Sequence, residues 1–519
     1  MAEQAVDIAR AVVIAPTALR DWVVVLPLVL PLLGGAVALV LRERIAWQRG
    51  IALAVLAALV VVDAALLVRV VESGPVTMMM GRWLPPFGIA FTVDALGATL
   101  ALAAAVVALP AAVYAGVDID AGGRRYGFFP FLMLLVAGVS GAFLTGDIFN
   151  LYVWFEVLLI ASFGLIVLGG EPRQLDGAVR YGLLNLVATT LFLVATAYLY
   201  GLVGTLNMAD ITAAVRALPP EAPIDTIAAL YLLAFGMKAA AFPVNFWLPA
   251  SYHTPKIVVA AVFAGLLTKV GVYALLRTLV MLMPAEGVAL SAIVGWVAGL
   301  TMVIAALAAL AQTEIRRALG FLVIAGIGAM LAGLAVGSPL ALSGTIVYAV
   351  HSILAMTAIY LAVGAVERVA GSSSLATVGG VYATNPLLAA LFLMLALAVA
   401  GLPPFSGFWP KAMLVKASLA AGEGWLAGAV LVSGFLQTVA LGRIWLLAFW
   451  RPRPGGPAAT GGGAAVLEPA AIGPVIVLTG LVVLLGVAAE PLVRVAGIGA
   501  AGLLDPAAYV GSVFGGTAP

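Results

Sequence analysis

Cysteine is absent from the 519 residues and histidine occurs only twice. Disulfides, thiol chemistry, iron–sulfur ligation and a Cys/His zinc site are therefore excluded, and quinone or nicotinamide chemistry would need another chain. Charge is scarce as well: 9% of residues are Asp, Glu, Lys or Arg, against about 25% in an ordinary soluble domain. With 64% hydrophobic residues, too little polar surface remains to cover a water-facing fold of this length. A cytosolic enzyme and a disordered chain are thereby excluded. The 25 basic and 23 acidic residues nearly cancel, so no nucleic-acid partner is indicated. No cofactor is read. A hard-cation site needs several oxygen ligands, and no carboxylate cluster falls within the apolar runs, so metal ligation stays unassigned. Met1 to Asp21 shows no cleavage pattern of a removable signal peptide.

What is abundant is apolar sequence in long runs. A bilayer core about 30 Å thick requires about 20 apolar residues per helix. Runs of that size fall near 22–41, 50–71, 93–116, 127–146, 149–169, 178–203, 225–249, 257–282, 288–311, 315–336, 341–366, 386–421, 425–449 and 471–489. This predicts an all-α polytopic membrane protein of about fourteen transmembrane helices in a single integral domain over 1–519. The runs lack the strict alternation of a membrane β-barrel. Between them, Pro75 to Val93 reads as a hairpin or loop outside the membrane, Met208 to Leu218 as a short interfacial helix, and Arg451 to Gly463 as a flexible loop.

Lys and Arg in the connections give the orientation. Arg42, Arg44, Arg49, Arg124, Arg125, Arg173, Arg180, Lys256, Arg316, Arg317, Arg368, Arg451 and Arg453 share one side; Arg10, Arg20, Arg69, Arg82, Arg216, Arg277 and Arg494 share the other. The richer side is read as cytoplasmic, which puts both termini outside.

Two spans carry the same interruption. Ala241-Phe-Pro-Val-Asn-Phe-Trp-Leu-Pro249 and Leu402-Pro-Pro-Phe-Ser-Gly-Phe-Trp-Pro410 each hold prolines six positions apart, with aromatic residues between. An interior proline removes a backbone hydrogen bond and crowds the preceding turn, so both spans should break. In lipid such breaks persist only where they are buried or face water. They fall in the seventh and twelfth spans, an odd offset, which implies inverted units as in secondary transporters. Kinks without a transport role are the alternative.

Five ionisable residues lie too deep to reach an interface: Glu156, Lys238, Lys269, His351 and Lys411. A charge at mid-bilayer costs at least about 2.5–3.5 kcal/mol and is rarely retained without a role. A lysine that gains or loses a carboxylate partner changes its hold on a proton, as a relay requires. Static buried ion pairs, or side chains bonded to backbone freed at a break, are the competing explanation. Asp63 and Asp94 are placed nearer span ends, and Lys416 within snorkelling reach.

The run Gly146-Asp-Ile-Phe-Asn-Leu-Tyr-Val-Trp-Phe-Glu156-Val-Leu-Leu-Ile-Ala-Ser resembles the fifth-helix signature of the D-type members of the Mrp-type multisubunit cation/proton antiporter family. Phe-Pro-Val-Asn-Phe-Trp-Leu-Pro249, Ser-Tyr-His-Thr-Pro255 and Leu-Leu-Thr-Lys269-Val-Gly-Val-Tyr-Ala-Leu resemble their seventh and eighth helices. Gly401-Leu-Pro-Pro-Phe-Ser-Gly-Phe-Trp-Pro-Lys411 resembles the twelfth. The resemblance implies fourteen helices with two inverted five-helix repeats, residues 127–282 (helices 4–8) and 288–449 (helices 9–13). It implies Glu156 and Lys238 as a modulating pair, Lys269 as a bridging amine, His351 as the next relay group and Lys411 as the terminal lysine. It further implies a bacterial cell membrane location, companions of the A, B, C, E, F and G types, and exchange of protons for a cation such as Na+. The wider superfamily includes the antiporter-like, proton-pumping subunits of NADH-quinone oxidoreductase and membrane-bound hydrogenase, which is the alternative; a carrier for an organic solute is weaker, since the breaks offer no recognition cluster. Three positions depart from the pattern. Ala250 replaces a usual acid, Lys256 a small or apolar residue, and Met356 a lysine found in many relatives, so His351 is left as the main titratable group of its helix.

Overall fold

The computed structural model describes residue 12 and residues 18–283, 288–454 and 467–515. A short 3-10 turn leads into α1 (Leu26–Val40), and α2 (Ile45–Ser73) follows it. An antiparallel hairpin comes next, β1 (Val76–Met79) on β2 (Ala90–Val93), in register from Val76 with Val93 to Met79 with Ala90. The first long helical series comprises α3 (Ala95–Asp118), the short α4 (Ala121–Arg125), α5 (Phe128–Leu144), α6 (Ile148–Ile166), α7 (Pro172–Val203) and the short α8 (Met208–Arg216). Then come α9 (Ile224–Ala239), the one-turn α10 (Trp247–Ser251) and α11 (Ile257–Leu276), which ends in a π-helical turn at Arg277–Leu282. The second series is α12 (Val288–Ala311), α13 (Ile315–Val336), α14 (Pro339–Ala370), the short α15 (Val381–Thr384), α16 (Pro386–Ala400), α17 (Phe408–Ala420) and α18 (Gly424–Trp445). The last of these also ends in a π-helical turn, at Leu446–Trp450. The chain closes with α19 (Pro469–Val487), α20 (Glu490–Leu504) and α21 (Ala507–Phe514).

Local sequence sets these boundaries. Asp94, Asp120, Asp147, Asn207 and Ser338 each sit just before a helix and accept a backbone N–H of its first turn, which satisfies donors that lipid cannot. The bundle is arranged around α11 and α14, whose apolar stretches are wholly enclosed by other helices. A helix that is apolar all round belongs in such a position. By contrast α2, α7, α18 and α19 keep wide apolar faces on the outside, where lipid replaces water as solvent.

Among the described residues ten helices are long and apolar enough to cross a membrane, or eleven if α20 and α21, bent by 75°, form one span; α1, α5 and α16 are shorter apolar helices. The fourteen runs read from sequence each contain a helix, but the seventh and twelfth are split into pieces, so a count of unbroken helices falls lower. The sequence reading stopped at 489 and missed α20 and α21. Small residues explain the miss: Ala496, Gly499 and Ala500 give little hydropathy signal, yet they are buried positions of α20. A Cβ on Gly499 would lie 3.3 Å from both Ile346 and the Leu96 amide, so α20 packs closely on α14 and α3. The predicted hairpin and the short helix at 208 are both present. Of the loop predicted at 451–463, residues 455–463 lie outside the described residues.

Candidate functional site

Both predicted breaks occur, and they are built alike. At the end of α9 the Ala241 amide donates to Gly236 and the Ala240 amide to Met237; at the end of α16 Leu402 donates to Leu397 and Gly401 to Ala398. Each is a Schellman closure, which bonds the last carbonyls back on themselves through a residue in the left-handed region. That residue is Ala240 (φ 61°) at the first break and Gly401 (φ 88°) at the second. A cis peptide bond follows at Phe242–Pro243 and at Pro403–Pro404. The second proline of each pair does not break anything: Pro249 and Pro410 are the third residues of α10 and α17. A first-turn N–H has no intrahelical partner to lose.

Lys238 lies in the last turn of α9 and is buried. Its ammonium sits over the Phe155 ring, 5.3 Å from the centroid, and its Nζ has no hydrogen-bond partner among the described residues. Glu156, the next residue on α6, is half-buried, with one carboxylate oxygen enclosed and unpartnered. The Glu156 charge acts on the Lys238 amine without an ion pair of 4 Å or less between them among the described residues. Phe155 is held in place by Phe192 and Phe235 at 5.7 and 5.8 Å.

α11 meets α9 at this point because Gly271 has no side chain. A Cβ there would lie 2.8 Å from the Ala239 amide and 3.1 Å from the Lys238 carbonyl carbon. Two residues before Gly271, Lys269 is fully enclosed and donates to the Ala264 carbonyl at 2.6 Å. The amine thereby reaches the level of Gly265, where α11 touches α14: a Cβ on Gly265 would meet the Ile353 carbonyl at 3.2 Å. His351, half a turn away on α14, is buried, and the charges of Lys411 and Lys269 both act on its ring. Its Nδ1 is bonded at 2.8 Å to the Ser406 hydroxyl, inside the second break. Gly407 packs beneath it, since a Cβ there would be 2.9 Å from Cε1 and Nε2.

Lys411 lies in the first turn of α17 and points back across the break. Its Nζ donates to the carbonyls of Ala400 (2.7 Å) and Val399 (3.1 Å) at the end of α16, and to Gln437 Oε1 (3.3 Å) on α18. The C-terminus of a helix presents orphan carbonyls and partial negative charge, so an ammonium suits it. All five predicted residues are thus strung from α6 through α9, α11 and α14 to α17, with α18 behind the last of them.

Sequence reading missed three members of this neighbourhood. Phe155 was hidden in an aromatic-rich run; Ser406 and Gln437 are neutral and carry no hydropathy anomaly. Two charges elsewhere need correction. Arg277, counted as an interfacial charge, and Asp94, placed near a span end, form a buried bidentate pair: Nη2 to Oδ1 2.6 Å and Nη1 to Oδ2 2.7 Å. Tyr273 accepts from Arg277 Nε at 3.0 Å and donates to the Phe143 carbonyl at 2.9 Å. Asp63 needs correcting too: it sits well inside α2, fully buried, both carboxylate oxygens unpartnered among the described residues. The divergent 250–256 segment borders a polar cavity of about 490 Å³ lined by Arg173, His253, Glu314, Arg316, Arg317 and Glu367. Burial, helped by Arg317, pushes the His253 imidazole below its ordinary value.

Paired broken helices within a bundle of apolar spans, with buried amines between them, define a polytopic membrane protein of the ion-transporter class. The chain belongs to the NADH:quinone oxidoreductase/Mrp antiporter membrane family, whose pattern matches residues 145–437. It is 36% identical over 491 residues to the D subunit of the Na+/H+ antiporter of Alkalihalophilus pseudofirmus, covering 95% of this chain and 99% of that one. Its structure is similar to a chain of the Mrp complex from a Dietzia species, with TM-score 0.88 and 28% identity, covering 96% of this chain and all of that one. The fold is also shared with a chain of respiratory complex I from Thermus thermophilus, with TM-score 0.80 and 24% identity, covering 93% of this chain and 99% of that one.

Proposed function

We propose that this chain is the proton-translocating subunit of a multisubunit Na+/H+ antiporter, a transporter component and not an enzyme, in a bacterial cell membrane. Protons pass along the buried series Glu156, Lys238, Lys269, His351 and Lys411, with Glu156 modulating Lys238. The observation that supports this reading is the succession of ionisable groups across α6, α9, α11, α14 and α17: Glu156 lies within electrostatic reach of Lys238, and Lys269 and Lys411 within that of His351, while close contacts join α9 to α11 and α11 to α14. We read residues 127–282 and 288–449 as inverted repeats; the matching Schellman closures support this, as does the π-helical turn that ends α11 and α18 alike. Companion membrane subunits complete the assembly, and the cation has its path among them. Both termini lie outside; removing buried Arg277 from the count sharpens the basic bias behind that assignment.

Glu156→Ala and Lys238→Ala should each abolish cation/proton exchange in inverted vesicles while the complex still assembles. Lys411→Ala should do the same. Exchange at the wild-type rate in any of the three removes that residue from the path, and full activity in all three overturns the relay. Copurification of the complex separates the antiporter from a redox-driven pump: companions bearing redox centres would favour the latter.

A further inference from the structure

Gln437 is a lone amide on α18, a helix whose other buried residues are small or apolar apart from Ser433. Its position is fixed from two sides. Nε2 donates to Ser433 Oγ at 2.9 Å, and Ser433 in turn donates to the Met302 carbonyl on α12 at 3.2 Å. The amide is therefore held with its oxygen, not its nitrogen, toward Lys411. Gly434, one turn away, faces the same amine: a Cβ there would stand 3.8 Å from Lys411 Nζ, in ordinary contact.

The balance of donors and acceptors around the amine decides which form it suits. A lysine ammonium has three N–H donors and no acceptor. Lys411 meets three acceptors: the Val399 carbonyl, the Ala400 carbonyl and Gln437 Oε1. The neutral amine has only two N–H bonds and a lone pair, so it would leave one of these oxygens facing a lone pair. The set thus fits the charged form. It does so with dipoles alone: among the described residues no carboxylate pairs with Lys411, and Glu367, near the far end of α14, is engaged with Arg316. α16 carries no ionisable side chain, and on α17 itself Lys416 is exposed. On α14 the titratable group that acts here is the His351 ring. On α18 Arg443 is two turns away and engaged with the carbonyls of Leu310 and Gln312; on α13 Arg316 and Arg317 lie in the first turn. Lys238 has the opposite arrangement, with a carboxylate nearby and no hydrogen-bond acceptor.

We propose that Gln437 is a positioning residue of the terminal lysine: with the two carbonyls freed at the second break it completes a three-acceptor cradle for protonated Lys411, in place of the counter-ion that serves Lys238. This rests on Lys411 lying in the proton path. A proton leaving Lys411 breaks one N–H bond and makes one acceptor redundant, so the amide tunes how readily the amine empties.

The test compares Gln437→Met, Gln437→Glu and Ser433→Ala in the assembled complex, reading cation/proton exchange in inverted vesicles as a function of pH alongside the amount of complex. Loss of an acceptor to a charged group is worth about one pH unit or more. Gln437→Met should move the midpoint of exchange about one unit toward acid. Gln437→Glu, which supplies a full charge, should move it toward alkaline pH, and Ser433→Ala, which only unfastens the amide, should give a smaller acid shift. A role in packing alone lowers the amount of complex without separating the midpoints. Coincident midpoints, or shifts of the same sign for Met and Glu, overturn the proposal. Lys411→Ala distinguishes the two levels: if it exchanges at the wild-type rate the relay reading fails, whereas if it is inactive and the midpoints coincide only the role of Gln437 fails.

Discussion

The three buried lysines are chemically identical and differently housed. Lys238 rests on an aromatic face without an acceptor, Lys269 has one backbone carbonyl, and Lys411 has two carbonyls and an amide. Ammonium stabilisation by a desolvated ring is worth about 2 kcal/mol, and hydrogen bonds to a charged group about 1.5–3 kcal/mol each, so the three housings hold an ammonium unequally. The buried Arg277–Asp94 pair is a different object, tied to Tyr273 and stacked over the rings of Tyr273 and Tyr509 at 5.1 and 5.3 Å. It joins the head of α3 to the end of α11 and to the last helix. Removing one partner leaves a buried charge unpaired, which costs about 3–5 kcal/mol, whereas replacing both can be nearly neutral. Arg277→Met alone should therefore sharply lower the amount of folded protein in the membrane, and adding Asp94→Asn should restore much of it; a double variant as depleted as the single one would contradict this account. At this scale the burial of Lys238, Lys269, His351 and Lys411 was legible from the apolar runs around them, whereas that of Asp63 and of the charges that meet across the chain was not. Arg277 and Asp94 are 183 positions apart, and no local pattern announces their pairing.

At the scale of elements the two breaks obey one design with one unequal residue. A Schellman closure needs a left-handed residue, usually Gly, because a Cβ there clashes with the following carbonyl. Gly401 meets that need at the second break, but Ala240 stands in the same place at the first. Ala240→Gly should relieve about 1–2 kcal/mol of that clash, and thermal denaturation of the purified complex should show a midpoint no lower than wild type. Gly401→Ala should do harm twice over, since its Cβ would stand 2.5 Å from Lys411 Cδ as well as in a strained conformation. Exchange should fall severalfold even where assembly is normal, and an unaltered rate would mean that Lys411 need not occupy its cradle. The breaks themselves were legible, because proline chemistry is local. Which proline does the breaking was not, since that depends on where the helix resumes, and the resumption is set by Trp247, whose indole donates to the Met237 carbonyl at 3.0 Å, and by Trp409, whose indole donates to Gly486 at 2.7 Å.

At the scale of the whole molecule the absence of cysteine opens the topology to direct labelling. A single introduced thiol is the only one in the chain. Tyr126, beside Arg124 and Arg125, and Phe87, in the hairpin loop, are both exposed. If both termini are outside, Tyr126→Cys should react with a membrane-impermeant maleimide in inverted vesicles, and Phe87→Cys only in right-side-out ones; the reverse pattern would invert the assigned topology. The sequence by itself determined the solvent, the helical class, the two fractured spans and the burial of Lys238, Lys269, His351 and Lys411, because hydropathy, proline geometry and the cost of charge in hydrocarbon act within a few turns of chain. Tertiary structure alone decided how those groups are housed: the ring beneath Lys238, the three oxygens around Lys411, the burial of Arg277 with Asp94, and the seating of α20 between α14 and α3. Those features depend on glycines and neutral polar side chains brought together from distant segments, and close packing of that kind has no signature until the helices are side by side.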